Sequence, residues 1–268
     1  MVHPLTPADA MAWIRNGIHR VQSEPARWLG LTFIYFVVAL LLKFIPFFGN
    51  YVIVLISPIP LASALMITRE NTPSVTPTDA LGWVRAVTID AARDSLRVFR
   101  EEDHSFAIII VCIVTLGMTM LVSLPELMFA GGSIVSGIAA ADIGGGIPIT
   151  TLIGIIVVLF LYLLLTMALF FMVPLTMLGE RYAIPAIVES FETCKKHARV
   201  LATFVAPFFA INFVMMLVFS VSHAIGYLLL ASVGMVALPT FVIGLNDSYR
   251  ALFESSSTAA STSNSTQA

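Results

Sequence analysis

The chain has 268 residues, of which 58% are hydrophobic and only 11% charged, and its mean hydropathy is +0.94. That balance excludes a water-soluble domain and predicts an all-α membrane helix bundle. A net charge of −2 leaves no basic surface to displace counterions from phosphate, which excludes a nucleic-acid partner.

The first element announces itself at residues 6–15, TPADAMAWIR, a phrase that returns at 76–85 as TPTDALGWVR with six of ten positions identical. In both copies Thr precedes Pro and is followed three residues later by Asp, a capping box with Pro at the first helical position. In the first copy Met11, Ile14, Ile18 and Val21 recur at helical spacing while Arg15, His19 and Gln22 mark another face, which predicts an amphipathic helix ending at Pro25. The first 27 residues show no basic start leading into an apolar core and no small-residue cleavage pattern. The first membrane helix is therefore expected to direct insertion and stay.

Trp28 to Phe48 is apolar apart from Lys43 and matches a hydrocarbon core of roughly 30 Å at about 1.5 Å per residue. Tyr51 to Ile67 follows after a Gly49-Asn50 turn as a second span. The second copy of the phrase opens a helix predicted from Pro77 to about Arg100, with Leu81, Val84 and Thr88 on one side. Ser105 to Pro125 is a third span, and Pro148 to about Val173 a fourth. A weaker third copy of the phrase, without its cap, begins at Pro185, where Phe191 stands as Trp13 stands after Pro7. Val200 to Leu245 carries no Asp, Glu, Lys or Arg and is too long for one helix; dividing it near Ser222-His223 gives spans five and six.

Lys and Arg concentrate in cytoplasmic loops. A six-span chain places thirteen of its fourteen basic residues on one side, with only Lys43 opposite, so both termini are expected in the cytoplasm. The reading is a membrane domain over 1–253 built of three helical hairpins, each preceded by a cytoplasmic amphipathic helix. The units run about 6–68, 76–178 and 185–250. Residues 254–268, rich in Ser and Thr, form a polar tail that cannot build a core.

The candidate functional residues are few. Trp13 and Trp83, with Arg15 and Arg85, suit an interfacial anchor, because an amphipathic ring is favoured at the headgroup boundary; packing in a cytoplasmic core is the alternative for the two rings. Membrane lipids are thus the expected general partners. Specific capture of anionic lipid is disfavoured, since Asp79 to His104 holds four Arg against six acids. Lys43 and Glu126 fall on the same side of the membrane and are a candidate intramembrane ion pair, with simple reach of Lys43 to the boundary as the alternative. Pro58, Pro60 and the polar Asn212 suggest a cavity of the kind that proline-broken helices build in transporters. Proline is also ordinary in membrane helices. Ala202, Ala206 and Ala210 at fourfold spacing suit a helix contact, within the chain or with another membrane protein or a second copy.

The glycine-rich stretch from Gly131 to Gly146 lacks the Lys-Ser/Thr of a phosphate loop. The five histidines have no metal-ligand spacing, the two cysteines suggest no disulfide framework, and no nucleophile lies in a recognisable context, so no catalytic residue, metal or cofactor is assigned.

The segment WIRNGIHRVQSEPARWLGLTFIYFVVALLLKFIPFFGNYVIVLISPIPLAS, with its Ile45-Pro46-Phe47-Phe48-Gly49 turn, resembles a family of uncharacterised bacterial six-span inner-membrane proteins. MVPLTMLGERYAIPAIVESFETCKKHARVL, with Ala186 and Ser190 on one helix, is similar to the same family. The resemblance implies the six-span fold and a bacterial inner-membrane location, and brings no activity with it. The expected function is that of a non-enzymatic protein that organises or assists partners in the membrane; the alternative is a small transporter or lipid-handling protein using the broken helices.

Overall fold

The computed structural model describes residues 5–45, 48–70, 79–100, 102–129, 149–179 and 181–254. Among them all regular structure is helical, and six helices are long and apolar enough to cross a membrane: Pro25–Lys43, Gly49–Arg69, Ser105–Ser123, Ile156–Met177, Ala198–Met215 and Leu228–Glu254. Such helices satisfy their own backbone groups, which is what a hydrocarbon solvent demands.

Helix α1 (Pro7–Ser23) starts as its sequence predicts. The Thr6 N–H donates to the Asp9 carboxylate at 2.7 Å, and the Thr6 hydroxyl donates to the same oxygen at 2.9 Å. Its buried face is only partly the expected one, since Val21 is buried and Ile14 partly so. Ala10, Trp13, Gly17 and Val21 are buried, while Met11 and Ile18 are exposed. The reason is close approach: α1 packs on α11 (Ala198–Val221) and α12 (His223–Tyr249), and Gly17 lies directly against the Thr240 carbonyl. A seam led by small residues wins over one led by large ones.

Helix α2 (Pro25–Lys43) is the first span. The second is two helices, α3 (Gly49–Ile56) and α4 (Pro58–Glu70), meeting at Ser57, because Pro58 and Pro60 supply no N–H to continue the ladder. The helix expected from Pro77 to Arg100 is also in pieces: α5 (Ala80–Arg85), a π-helical turn at Ala86–Asp90, α6 (Ala91–Ser95) and a 3₁₀ turn at Arg97–Phe99. At its end the Ser95 carbonyl accepts the hydroxyl of the fully buried Ser63 at 2.8 Å, and the Phe99 N–H bonds to the Leu96 carbonyl. The cap expected at Thr76 and Pro77 lies outside the described residues, as do the whole glycine-rich stretch and the tail beyond Glu254.

Helix α7 (Glu102–Phe129) is the third span. The fourth divides into α8 (Ile149–Leu169) and α9 (Met172–Met177), because the ring of Pro174 crowds the carbonyl four residues earlier. Ser190 of α10 (Ala183–Lys196) fills the break: its hydroxyl accepts the Phe171 N–H at 2.9 Å and donates to the Met167 carbonyl at 2.9 Å. Ala186, one turn earlier, is fully buried on the same side of α10. Helices α11 and α12 are separated, as predicted, at Ser222, whose backbone is extended (φ −153°, ψ 115°).

The core is a chain of rings. Phe204 meets Trp13 edge-on at 6.0 Å and stacks on Phe241 at 5.5 Å, and Phe170 meets both Phe204 and Phe241 edge-on. This cluster joins α1, α11, α12 and the break in the fourth span. On another side of α2, Gly30 lies against Val87 and Ala91, and the Arg27 guanidinium pairs with Asp94 at 3.0 Å.

A Cβ on Gly17 would stand 2.7 Å from the Thr240 carbonyl oxygen and one on Gly30 would stand 2.9 Å from Ala91 Cβ, whereas one on Gly117 would meet nothing within 4 Å. Gly17→Ala and Gly30→Ala are each expected to cost about 1 to 3 kcal/mol through overpacking. Gly117→Ala, relieved of glycine's chain entropy, is expected to be neutral or to stabilise by about 0.5 to 1 kcal/mol. Melting temperatures in one detergent check all three, and equal shifts would refute the packing.

Candidate functional site

Two cavities and one outer surface carry the residues from which a function can be built. The first cavity, of about 240 Å³, lies between α2, α4 and α12. Pro60 and Pro239 line it, with Leu31, Leu61 and Phe241 supplying apolar surface. Two of its hydroxyls are occupied by their own helices: Thr32 donates to the Trp28 carbonyl at 3.0 Å and Ser57 to that of Val54 at 2.9 Å; the Tyr35 phenol also lines it. Trp28 differs. It is 1% exposed, lines this cleft, and its indole N–H donates to nothing among the described residues.

The second cavity, of about 550 Å³, is polar and open, and lies where α4, α9, α10 and α12 end. Arg69, Arg181, Glu189, Tyr249 and Glu254 line it. Arg181 and Glu189 approach to 3.7 Å with both side chains well exposed, so solvent screens the pair to little net strength. The balanced charge favours neither anion nor cation.

The titratable groups on α10 and just after it do not read as catalytic. Burial pushes the Cys194 thiol up to about 11, against the opposing hydrogen bond of Ser190, so it is protonated and a poor nucleophile at neutral pH. Burial, aided by the neighbouring Lys196 charge, holds His197 below its ordinary value and therefore neutral. Among the described residues no three His, Cys, Asp or Glu converge as a metal site would require.

The sequence-derived candidates are dispersed. Trp13 is not an interfacial anchor: its ring is 6% exposed and packs on Phe204. Trp83, Arg15 and Arg85 are exposed, with Leu81 and Val84 exposed beside Trp83. Lys43 is exposed at the end of α2; the Glu126 side chain lies outside what the structure describes. Pro58 is buried and Pro60 lines the apolar cleft, but Asn212 does not join them. It sits in the central part of α11 and is exposed on the outside of the bundle, as are Ala202, Ala206 and Ala210. The grouping of Pro58, Pro60 and Asn212 as one cavity is therefore corrected: a proline-lined cleft exists and is apolar, and the amide belongs to an outer surface. Trp28 gave no signal in the sequence, because α2 is apolar all round and offers no period from which its packed side can be read.

The two placements of tryptophan are separable by fluorescence. With Trp83 as the sole indole (Trp13→Phe, Trp28→Phe), quenching by lipids brominated near the headgroup is expected to be strong. With Trp13 as the sole indole it is expected to be at least threefold weaker, and equal quenching would refute its burial. Searched against known proteins, the chain matches no family model, no curated protein and no solved structure.

Proposed function

We propose that this chain is a non-enzymatic, multi-pass protein of the bacterial inner membrane, with both termini cytoplasmic, that organises or assists a partner by lateral association through α11. One observation carries the reading: Asn212 is exposed in the central part of a helix that crosses hydrocarbon. A primary amide left to lipid tails has lost its water without gaining a hydrogen bond, which is costly. Polar side chains that hydrogen-bond across helices help hold helices together in membranes. The exposed Ala202, Ala206 and Ala210 form a separate stripe on the same helix, Ala206 lying about 120° around from Asn212. The partner is another membrane helix, of a second copy or of a different chain.

The three-unit layout is part of the same proposal, and the packing supports it. The leading helix α1 packs on α11 and α12, the pieces from 86 to 95 pack on α2 and α4, and α10 packs on α8 and α9. Each leading helix thus rests on the hairpin of a different unit, around a ring. Transport is less well supported, since Asn212 and the proline cleft are apart.

The test is purification from native membranes in mild detergent, with mass spectrometry of every retained species. A stoichiometric second chain or second copy is expected. An interhelical hydrogen bond in a membrane is worth about 0.6 to 2 kcal/mol, so Asn212→Leu is expected to weaken its retention by roughly three- to thirtyfold. Unchanged retention would overturn the reading.

A further inference from the structure

The polar cavity at the ends of α4, α9, α10 and α12 contains a group for which lateral association through α11 has no use. Tyr249, the last residue of α12, lines it and is only 4% exposed, yet its hydroxyl makes no hydrogen bond among the described residues. Unlike the closed-off Trp28 nitrogen, this oxygen is open to the cavity. The ring is held by stacking on Phe253 at 5.2 Å, and the oxygen stands where a Cβ on Gly179 would come within 3.0 Å of it. A hydroxyl fixed in this way and left without a partner marks a place for one.

The charges of Glu254, Arg69, Glu189 and Arg181 all act on this phenol. They balance in sum but are not equally answered. Arg181 faces Glu189 at 3.7 Å and Arg250 faces Glu254 at 3.1 Å, whereas Arg69 pairs with no carboxylate among the described residues. What remains is a guanidinium fork beside a phenolic O–H, and the group that accepts from both is an oxyanion such as a phosphate. The Glu189 carboxylate sets a second condition. Its pair with Arg181 is long and exposed, so it can turn to a cation arriving with the ligand, and it repels an anion that brings none.

Arg69 is the last residue of the second span, Leu178 and Gly179 follow the end of the fourth, and Tyr249 lies near the end of the sixth. Three span ends meet here at one level, which in a bilayer is the level of the headgroups. The volume of about 550 Å³ is that of a small-molecule site.

We propose that this cavity binds a phosphoethanolamine group, its phosphate accepting from Arg69 and the Tyr249 hydroxyl and its ammonium donating to Glu189. A zwitterionic phospholipid carries that group, and so does its soluble deacylated ester. The site makes no use of α11 and stands whether or not a partner binds there.

The test uses the full chain reconstituted in vesicles of equal phosphatidylethanolamine, phosphatidylglycerol and phosphatidylcholine with identical acyl chains. After extraction in mild detergent, retained lipid is counted by native mass spectrometry. About one phosphatidylethanolamine per chain is expected, enriched roughly tenfold over the others, because the choline lipid has no N–H for Glu189 and the glycerol lipid no cation. Tyr249→Phe keeps the ring stack and loses only the hydroxyl, so a roughly three- to tenfold weaker retention is expected without loss of melting temperature. Arg69→Gln is expected to weaken retention by roughly tenfold or more, and Glu189→Gln to erase the preference over phosphatidylglycerol. Glycerophosphoethanolamine added to lipid-free protein separates the two sources: a rise in melting temperature that Tyr249→Phe removes assigns the soluble ester, and no rise assigns the lipid. If the soluble ester gives no rise, then retention without headgroup preference, preference for phosphatidylglycerol, or no retained lipid overturns the proposal. Binding undiminished in both Arg69→Gln and Tyr249→Phe overturns it for either source.

Discussion

Inside hydrocarbon a backbone N–H or carbonyl that loses its helical partner cannot turn to water, so every break in a spanning helix must be mended by the protein itself. Ser190 shows how. Pro174 opens the fourth span at Phe170 and Phe171, and a hydroxyl from α10 enters the gap as donor to Met167 and acceptor from Phe171. The mend fixes α10 against the span, and the aromatic cluster forms around the same break through Phe170. Ser63 ties α4 to the end of α6, donating to the Ser95 carbonyl. Position follows from where hydrogen bonds go missing.

Of the polar groups left unanswered by this logic, two differ in kind. The Trp28 indole nitrogen is closed off inside the bundle with no acceptor among the described residues, whereas the Asn212 amide is exposed on α11.

The spans were legible because an uninterrupted apolar run of membrane length suits a bilayer and little else, and the division at Ser222 followed from length alone. The start of α1 was legible too, since Thr6, Pro7 and Asp9 specify a cap through chemistry local to one turn. What stayed hidden was which side of each helix packs. In α2 every side is apolar, so Trp28 and Gly30 cannot be told from their neighbours. In α1 the larger side chains Met11 and Ile18 drew attention from Gly17, whose importance lies in what it lacks. Asn212 was visible as polar, but its direction depends on which helices surround α11, and that is a property of the whole chain.

The seat of α1 on α12 also fixes an order of events during synthesis. Helix α1 has its main packing surface, around Thr240 and Gly244, in α12, far later in the chain. At about 5 to 20 residues per second, roughly 220 residues of intervening chain take on the order of 10 to 45 s to appear. For that interval Trp13 and its neighbours have no seat of their own. The growing chain must hold an exposed apolar segment until α12 arrives to cover it.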